Sequence, residues 1–167
     1  MKTDIHGAQA WIDWVHFLVH QKKMFSISDE DASVDTASPK YWMIKLASGV
    51  VALHFLAEVV GTAGIKAELF ETPAITGDGS ALAIVAMNRR RPLRTLPGVT
   101  AFYDTTVSDD GTRLAVTRAG GGNPSQPGGQ ARTEVEWKLE TALDYIIKVT
   151  VVANGTTVTF GSNVYQV

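Results

Sequence analysis

The sequence predicts an all-β chain, an antiparallel β-sandwich or jelly roll carrying an N-terminal helical or extended arm. Three observations lead there. Val (18), Thr (17) and Ile (9) together far outnumber Leu (11) among 167 residues, and β-branched side chains suit a pleated, half-buried surface better than a helical bundle. Short apolar runs with a period of two recur along most of the chain, as strands with one buried face require. Turn chemistry separates those runs at regular spacing. The length fits one domain, divided into an arm at 1–25 and a β domain at 26–167.

The arm comes first. Trp11, Trp14, Val15, Leu18 and Val19 fall at i, i+3, i+4, i+7 and i+8, which draws one apolar stripe on a helix. Ile12 and Phe17 lie off the stripe, so the arm would be apolar on more than one side and would need two partners. An extended arm is the competing conformation, because Trp, Ile, Val and Phe also suit strands. From Ser26 to Lys40 the composition turns to Ser, Asp, Glu and Ala and closes on Ser38-Pro39, which reads as a surface loop. The acidic stretch Asp29-Glu30-Asp31 with Asp35 belongs to that solvated loop.

Strands are then expected at Tyr41 to Leu46, Val50 to Val60, Ile65 to Glu71 and Ala81 to Met87. In the third, Ile65, Ala67 and Leu69 share one face, while Lys66 and Glu68 occupy the other. Gly61 and Gly64 bracket one turn, and Gly77-Asp78-Gly79 punctuates the next. Residues 88 to 99 are irregular and basic. Thr100 to Val107 and Thr112 to Thr117 should pair through a hairpin at Ser108-Asp109-Asp110-Gly111. Gly120 to Gln130 is a long glycine-rich loop. Glu134 to Leu139, Tyr145 to Val152, Thr156 to Phe160 and Val164 to Val167 complete the strands, with Asn154-Gly155 as the final hairpin. Asn154-Gly155-Thr156 also fits a glycosylation sequon, but the turn reading is preferred.

Composition excludes much chemistry. Charged residues are 19% of the chain and the net charge is −2, so no global pull toward nucleic acid or an anionic membrane exists. Cysteine is absent, which removes disulfides, thiolate nucleophiles and zinc–thiolate sites. No run reaches about 18 apolar residues, so no membrane span is expected. Asp4, His6, Asp13 and His16 break up any signal-peptide core, and synthesis in the cytoplasm is expected.

His16 and His20 have i, i+4 spacing, but Phe17 stands where a metalloprotease helix needs its general-base Glu. His54 is isolated, against the several His and a carboxylate that a cupin metal site requires. Neither Gly-x-Ser-x-Gly nor a phosphate-binding P-loop occurs. Glu68 with Glu71, and Glu134 with Glu136, read as solvent-facing strand residues. No cofactor, metal or catalytic residue is assigned. The densest charge cluster is Arg89, Arg90, Arg91 and Arg94. Stacking aromatics are not interleaved with it, and Pro92 and Pro97 make the loop rigid. Carboxylate recognition on a partner protein therefore suits it better than phosphate contact.

Several segments, taken in order, carry a family likeness. They are His20-Gln21-Lys22-Lys23-Met24-Phe25-Ser26-Ile27-Ser28, then Glu68-Leu69-Phe70-Glu71-Thr72-Pro73, then Met87-Asn88-Arg89. The glycine-rich loop from Gly120 to Gly129, Glu136-Trp137-Lys138-Leu139 and Tyr145-Ile146-Ile147-Lys148-Val149 follow. Over about residues 16 to 167 this succession resembles the head decoration, or cement, proteins of tailed bacteriophages. In that family the first segment reads His-x-Gly-Lys-x-Phe; here Gln21-Lys22 replaces the glycine after the histidine. The arginine run is longer, and Trp11 and Trp14 fall outside the match.

The resemblance implies a structural virion protein, not an enzyme, attached to the outer capsid surface where major capsid protein subunits meet. It implies a stiff β scaffold and an oligomer matched to the lattice. A homotrimer is favoured over a dimer because decoration sites often lie at threefold positions, and the charge and hydropathy leave neither nucleic acid nor membrane as partner. The partner-binding residues would be the aromatic arm, Trp11, Trp14, Phe17 and Leu18, where aromatic anchors make natural hot spots. Arg89, Arg90, Arg91 and Arg94 come second. The alternatives are a glycan-binding module of a phage tail or fibre, using Tyr103 with Asp104 or Asn163 with Tyr165, and then a cupin-like enzyme.

Overall fold

The computed structural model describes residues 14–50, 52–90, 92–119, 130–132 and 136–166. Among these residues one helix, α1 (Trp14–His20), precedes fourteen strands. The arm therefore enters the domain as a helix over its described part.

Five strands form the body of the first sheet: β1 (Met24–Val34), β3 (Leu53–Gly61), β14 (Thr156–Gln166) and, at the edge, the pair β11 (Gln130–Arg132) and β12 (Trp137–Leu139). The second sheet is built on β2 (Lys40–Leu46), β4 (Ile65–Glu71), β10 (Thr112–Ala119) and β13 (Asp144–Val151). All pairings in the two sheets are antiparallel. β14 inserts between β1 and β3, and β13 inserts between β2 and β4. Two late strands each threaded between two early ones is the winding of a jelly roll, so the predicted fold class is what the chain adopts.

Side-chain alternation fills the space between the sheets. Phe25 and Ile27 from β1, Phe55 and Val59 from β3, and Val158 and Phe160 from β14 meet Trp42, Ile44, Tyr145, Ile147 and Val149. The faces of β4 fall as the sequence predicts: Ile65, Ala67 and Leu69 pack on this core, while Lys66 and Glu68 pair with each other outside it. Phe70 shares the outer face and joins Met43 and Ile146 in a second cluster.

The cover of that second cluster corrects one predicted hairpin. β5 (Ala74–Gly77) follows β4, and β9 (Thr106–Asp109) precedes β10. β9 pairs with β5, not with β10, while β10 pairs with β4. The four strands make one long antiparallel ribbon that bends at Thr72 and Gly111, both at positive φ (54° and 82°). A Cβ on Gly111 would lie 2.3 Å from the Glu71 carbonyl oxygen, so only glycine lets the two strands turn together. The bend folds Ile75 and Val107 onto Met43, Phe70 and Ile146.

The stretch from Ser26 to Lys40 is not a surface loop. β1 begins at Met24, just before the residue-26 boundary, and pairs with β14 from Met24 to Val34. The acids that mimic a solvated loop are individually partnered. Asp29 accepts the Trp42 indole N–H at 2.8 Å, Asp31 pairs with Lys40 at 2.7 Å, and Glu30 accepts the Thr159 hydroxyl at 3.3 Å. Only the short stretch between β1 and β2 remains irregular.

Other boundaries shift for similar reasons. The apolar run Ala81 to Met87 is two strands in different sheets: β6 (Ser80–Leu82) lies on β8 (Val99–Tyr103), and β7 (Val85–Ala86) lies on β1. The chain crosses from sheet to sheet between them, and Val85 and Met87 end up exposed. Thr100 to Val107 breaks at Asp104, which has a φ of 54°. Thr156 to Val167 is one strand to Gln166, not two. Asn154-Gly155 is a turn, but it joins opposite sheets, because β13 pairs with β2 and β4 while β14 pairs with β1 and β3. The Asn154 side chain accepts the Thr36 N–H and hydroxyl, both at 2.8 Å. Most of Gly120 to Gln130 lies outside the described residues.

Three partnered carboxylates make stability pH-dependent. Burial opposes ionisation of Glu68, but Lys66 and Arg113 outweigh it and hold the carboxyl below its usual range. Asp31 behaves likewise through Lys40 and the Ser33 amide, and Glu136 through Tyr165 and His54. A lowered folded pKa contributes stability that is complete above the unfolded value and is lost as pH falls through the folded one. The urea midpoint should therefore be flat from pH 7 down to about 5 and fall below about 4, where unfolded carboxylates take up protons. Glu68→Gln should flatten that acid slope; an unchanged slope would show that Glu68 does not contribute to it.

Candidate partner interface

The two segments singled out by sequence for partner contact converge at one end of the sandwich. α1 rests on the first sheet through Leu18, which is 1% exposed and packs with Met24 and Tyr165. Val19 and Leu56 flank them. Leu18 and Val19, the end of the predicted apolar stripe, turn onto the domain itself, so Leu18 is an anchor of the helix and not an outward contact. Phe17, off the stripe, is 40% exposed. Trp14 begins the helix. Trp11 lies outside the described residues.

The platform under the helix is rigid. The Tyr165 ring stacks on His54, 4.6 Å between centroids, and its hydroxyl donates to Glu136 Oε1 at 2.5 Å. The same carboxylate oxygen meets His54 Nδ1. His54, isolated in the sequence, is thus a structural partner of Glu136.

The helix ends in a Schellman motif. Lys22 N–H donates to the Val19 carbonyl and Lys23 N–H to the Leu18 carbonyl, both at 3.0 Å. Lys22 occupies the left-handed position (φ 57°), where glycine is favoured because a Cβ costs about 1–2 kcal/mol there. Its ammonium reaches the Pro92 carbonyl at 3.0 Å. Lys22→Gly should raise stability by roughly 0.5–1 kcal/mol, the relief of strain being partly offset by glycine's greater unfolded-state entropy. Urea titrations at neutral pH measure this; a loss of stability would mean that the Pro92 contact outweighs the strain.

The arginine loop is tied to the same helix end. Asn88 donates its side-chain amide to the Val19 carbonyl at 3.0 Å, and Met87 N–H donates to the Met24 carbonyl at 3.0 Å. Further along, Leu96 is buried in the main core, and the Gly98 carbonyl accepts the Ala47 N–H at 2.8 Å. A Cβ on Gly98 would lie 2.5 Å from Val50 Cγ2. Held at both ends, the loop exposes Arg89, Arg90 and Arg94. Arg91 lies outside the described residues.

Lys22, Lys23 and Arg94 line an open cleft of about 380 Å³, with Phe25, Leu96 and Pro97 as its apolar part. Sequence reasoning missed the two lysines. Their only local signal is a Lys-Lys pair directly after the helical stripe. Charge pairing differs between this end and much of the rest of the molecule, although Arg118 and Lys138 also stand outside the ion pairs between described residues. Lys40, Lys45, Lys66, Lys148 and Arg113 all meet carboxylates across the second sheet. None of the ion pairs between described residues uses Lys22, Lys23, Arg89, Arg90 or Arg94. Three exposed large apolar side chains, Phe17, Val85 and Met87, come from the elements at this same end.

Of the pairs considered for glycan contact, each has one member with an internal partner or place, while Asn163 is exposed and Tyr103 half-buried. Tyr165 is 3% exposed, and Asp104 pairs with Lys40 at 2.8 Å. Among the described residues no group of three or more His, Asp or Glu is placed to hold a metal, and no helix is long and apolar enough to cross a membrane. No protein-family model matches the chain, and no curated protein matches it.

Proposed function

We propose that the protein is a structural virion protein that binds the outer surface of a bacteriophage head and stabilises the capsid lattice. The observation that carries this reading is the end formed by α1 and residues 87–97. There, cations without carboxylate partners among the described residues, together with exposed apolar side chains, are held on a stiff jelly roll. An aromatic and arginine surface with an apolar centre is the composition of a protein-binding patch. The ordered segments that resemble phage decoration proteins support the major capsid protein as the partner.

A decoration protein opposes shell expansion by adding contacts across capsomer seams. Self-association multiplies modest contacts, because each further subunit of a bound oligomer attaches intramolecularly. A homotrimer is the state proposed, with the interface on the outer capsid and no catalytic step. The purified protein should co-sediment with expanded heads of its cognate coat protein at a fixed ratio, and light scattering should give a multiple of 18.0 kDa. Failure to co-sediment at any ratio would overturn the proposal, and a stable monomer would remove the multivalent part of it.

A further inference from the structure

We infer that the cleft lined by Lys22, Lys23 and Arg94 takes a short acidic protein segment, whose carboxylates pair with these cations around an apolar side chain. The inference deepens the interface reading by naming the chemistry of its partner. The cations come from two elements brought together only by the fold: the C-terminal cap of α1 and the loop ending at Leu96. Both are fixed before any partner arrives. Lys22 and Lys23 follow a capped helix end, and Arg94 sits between the Asn88 tie and the buried Leu96. Binding groups ordered in advance lose little conformational entropy on association.

Charge and shape together select the ligand class. The chain as a whole carries −2, yet these positive groups lie together without carboxylate partners among the described residues, so the local field attracts an anion that the global charge would not. Three cations in about 380 Å³ match two or three side-chain carboxylates of an extended segment. The Arg94 guanidinium can hold a carboxylate through two parallel hydrogen bonds. Phe25 and Leu96 are 2% and 8% exposed, too covered to stack on a base, and single-stranded nucleic acid relies on such stacking. They can still form an apolar floor for one aliphatic side chain.

The test uses the full chain and a fluorescein-labelled decapeptide of Asp and Glu with one central Leu, read by anisotropy at 50 and 200 mM salt. A single-stranded oligonucleotide of equal net charge is the competitor. Binding to the peptide is expected, weaker at the higher salt. The double variant K23E/R94E should lose at least tenfold in affinity, while R118E/K138E, with the same change in net charge, should stay within twofold. Both variants must keep the wild-type circular dichroism spectrum and melting temperature. If K23E/R94E fails to fold, K23Q/R94Q makes the same comparison against R118Q/K138Q. No peptide binding, equal losses in the two double variants, or preferential binding of the oligonucleotide would each overturn the inference, the last in favour of nucleic acid. Co-sedimentation with heads separates this from the decoration reading. A wild-type protein that binds the peptide but not heads loses the decoration function and keeps the acidic-segment cleft. Head binding that K23E/R94E leaves intact places the shell contact elsewhere.

Discussion

Trp42→Ala is expected to destabilise the protein by about 3–5 kcal/mol, the range for removing a large buried aromatic side chain. Trp42 is 2% exposed and stands between the two sheets. Its ring stacks on Phe160 of β14 at 5.4 Å between centroids, and its indole N–H donates to Asp29 of β1 at 2.8 Å. One side chain from the second sheet thus grips the two central strands of the first. Total stabilities of domains are about 5–15 kcal/mol, so the loss would be a large fraction of the whole. For a chain of this size it corresponds to a fall in melting temperature of roughly 6–20 °C. Trp42→Phe separates the contributions in part: it keeps an aromatic ring against Phe160 but removes the N–H and part of the ring volume, so its loss should be about 1–3 kcal/mol. Urea titrations followed by circular dichroism measure both. A Trp42→Ala loss below about 1 kcal/mol would contradict the role of this residue as the inter-sheet anchor.

The same contact explains why β1 is illegible in the sequence. Local composition registers Ser-Asp-Glu-Asp-Ala-Ser as solvated loop, because an acid without a partner belongs in water. The partners exist, but they are Trp42, Lys40 and Thr159, which come from other strands. Strands such as β2, β4 and β13 are legible for the opposite reason. One face of each is buried in the core, so the alternation of apolar residues is written locally. Turn residues are legible as turns but do not say which strands they join. Asn154-Gly155 and Asp110-Gly111 both turn the chain, yet neither closes a two-strand hairpin, since pairing is decided by which sheet each flanking strand enters. The apolar run from Ala81 to Met87 carries no mark of the sheet crossing that splits it.

The interface divides in the same way. Arg89, Arg90 and Arg94 are visible as a dense cluster, and the arm as an amphipathic stripe. The sense of that stripe is not visible. An apolar helix face looks the same whether it docks on its own domain or on a neighbour, and only the position of Met24 and Tyr165 beneath Leu18 decides it. Lys22 and Lys23 become part of a site only once Asn88 and Met87 bring the arginine loop to the helix end.

Leu18→Ala is the second large effect expected, and it links docking of the arm to the interface. Removing a buried leucine costs about 2–5 kcal/mol, but here the loss should fall on one unit. The described helix spans 7 residues, and helices shorter than about 12–15 residues are marginal without packing. Leu18 joins a small cluster apart from the main core. The helix should therefore release while the sandwich stays folded, as local opening with its own free energy. Amide exchange reports it directly. The Gln21, Lys22 and Lys23 N–H groups bond to carbonyls of Phe17, Val19 and Leu18, and a loss of 2–3 kcal/mol should cut their protection roughly 30- to 150-fold. Strand β13, at the centre of the second sheet, should keep its protection. Lys22 would then no longer be held beside Arg94, so affinity for an acidic segment, and the proposed attachment to heads with it, should weaken without loss of the β fold. If β13 loses as much protection as the helix end, the arm and the sandwich form one cooperative unit, and the helix is part of the domain's stability instead of a separable contact element.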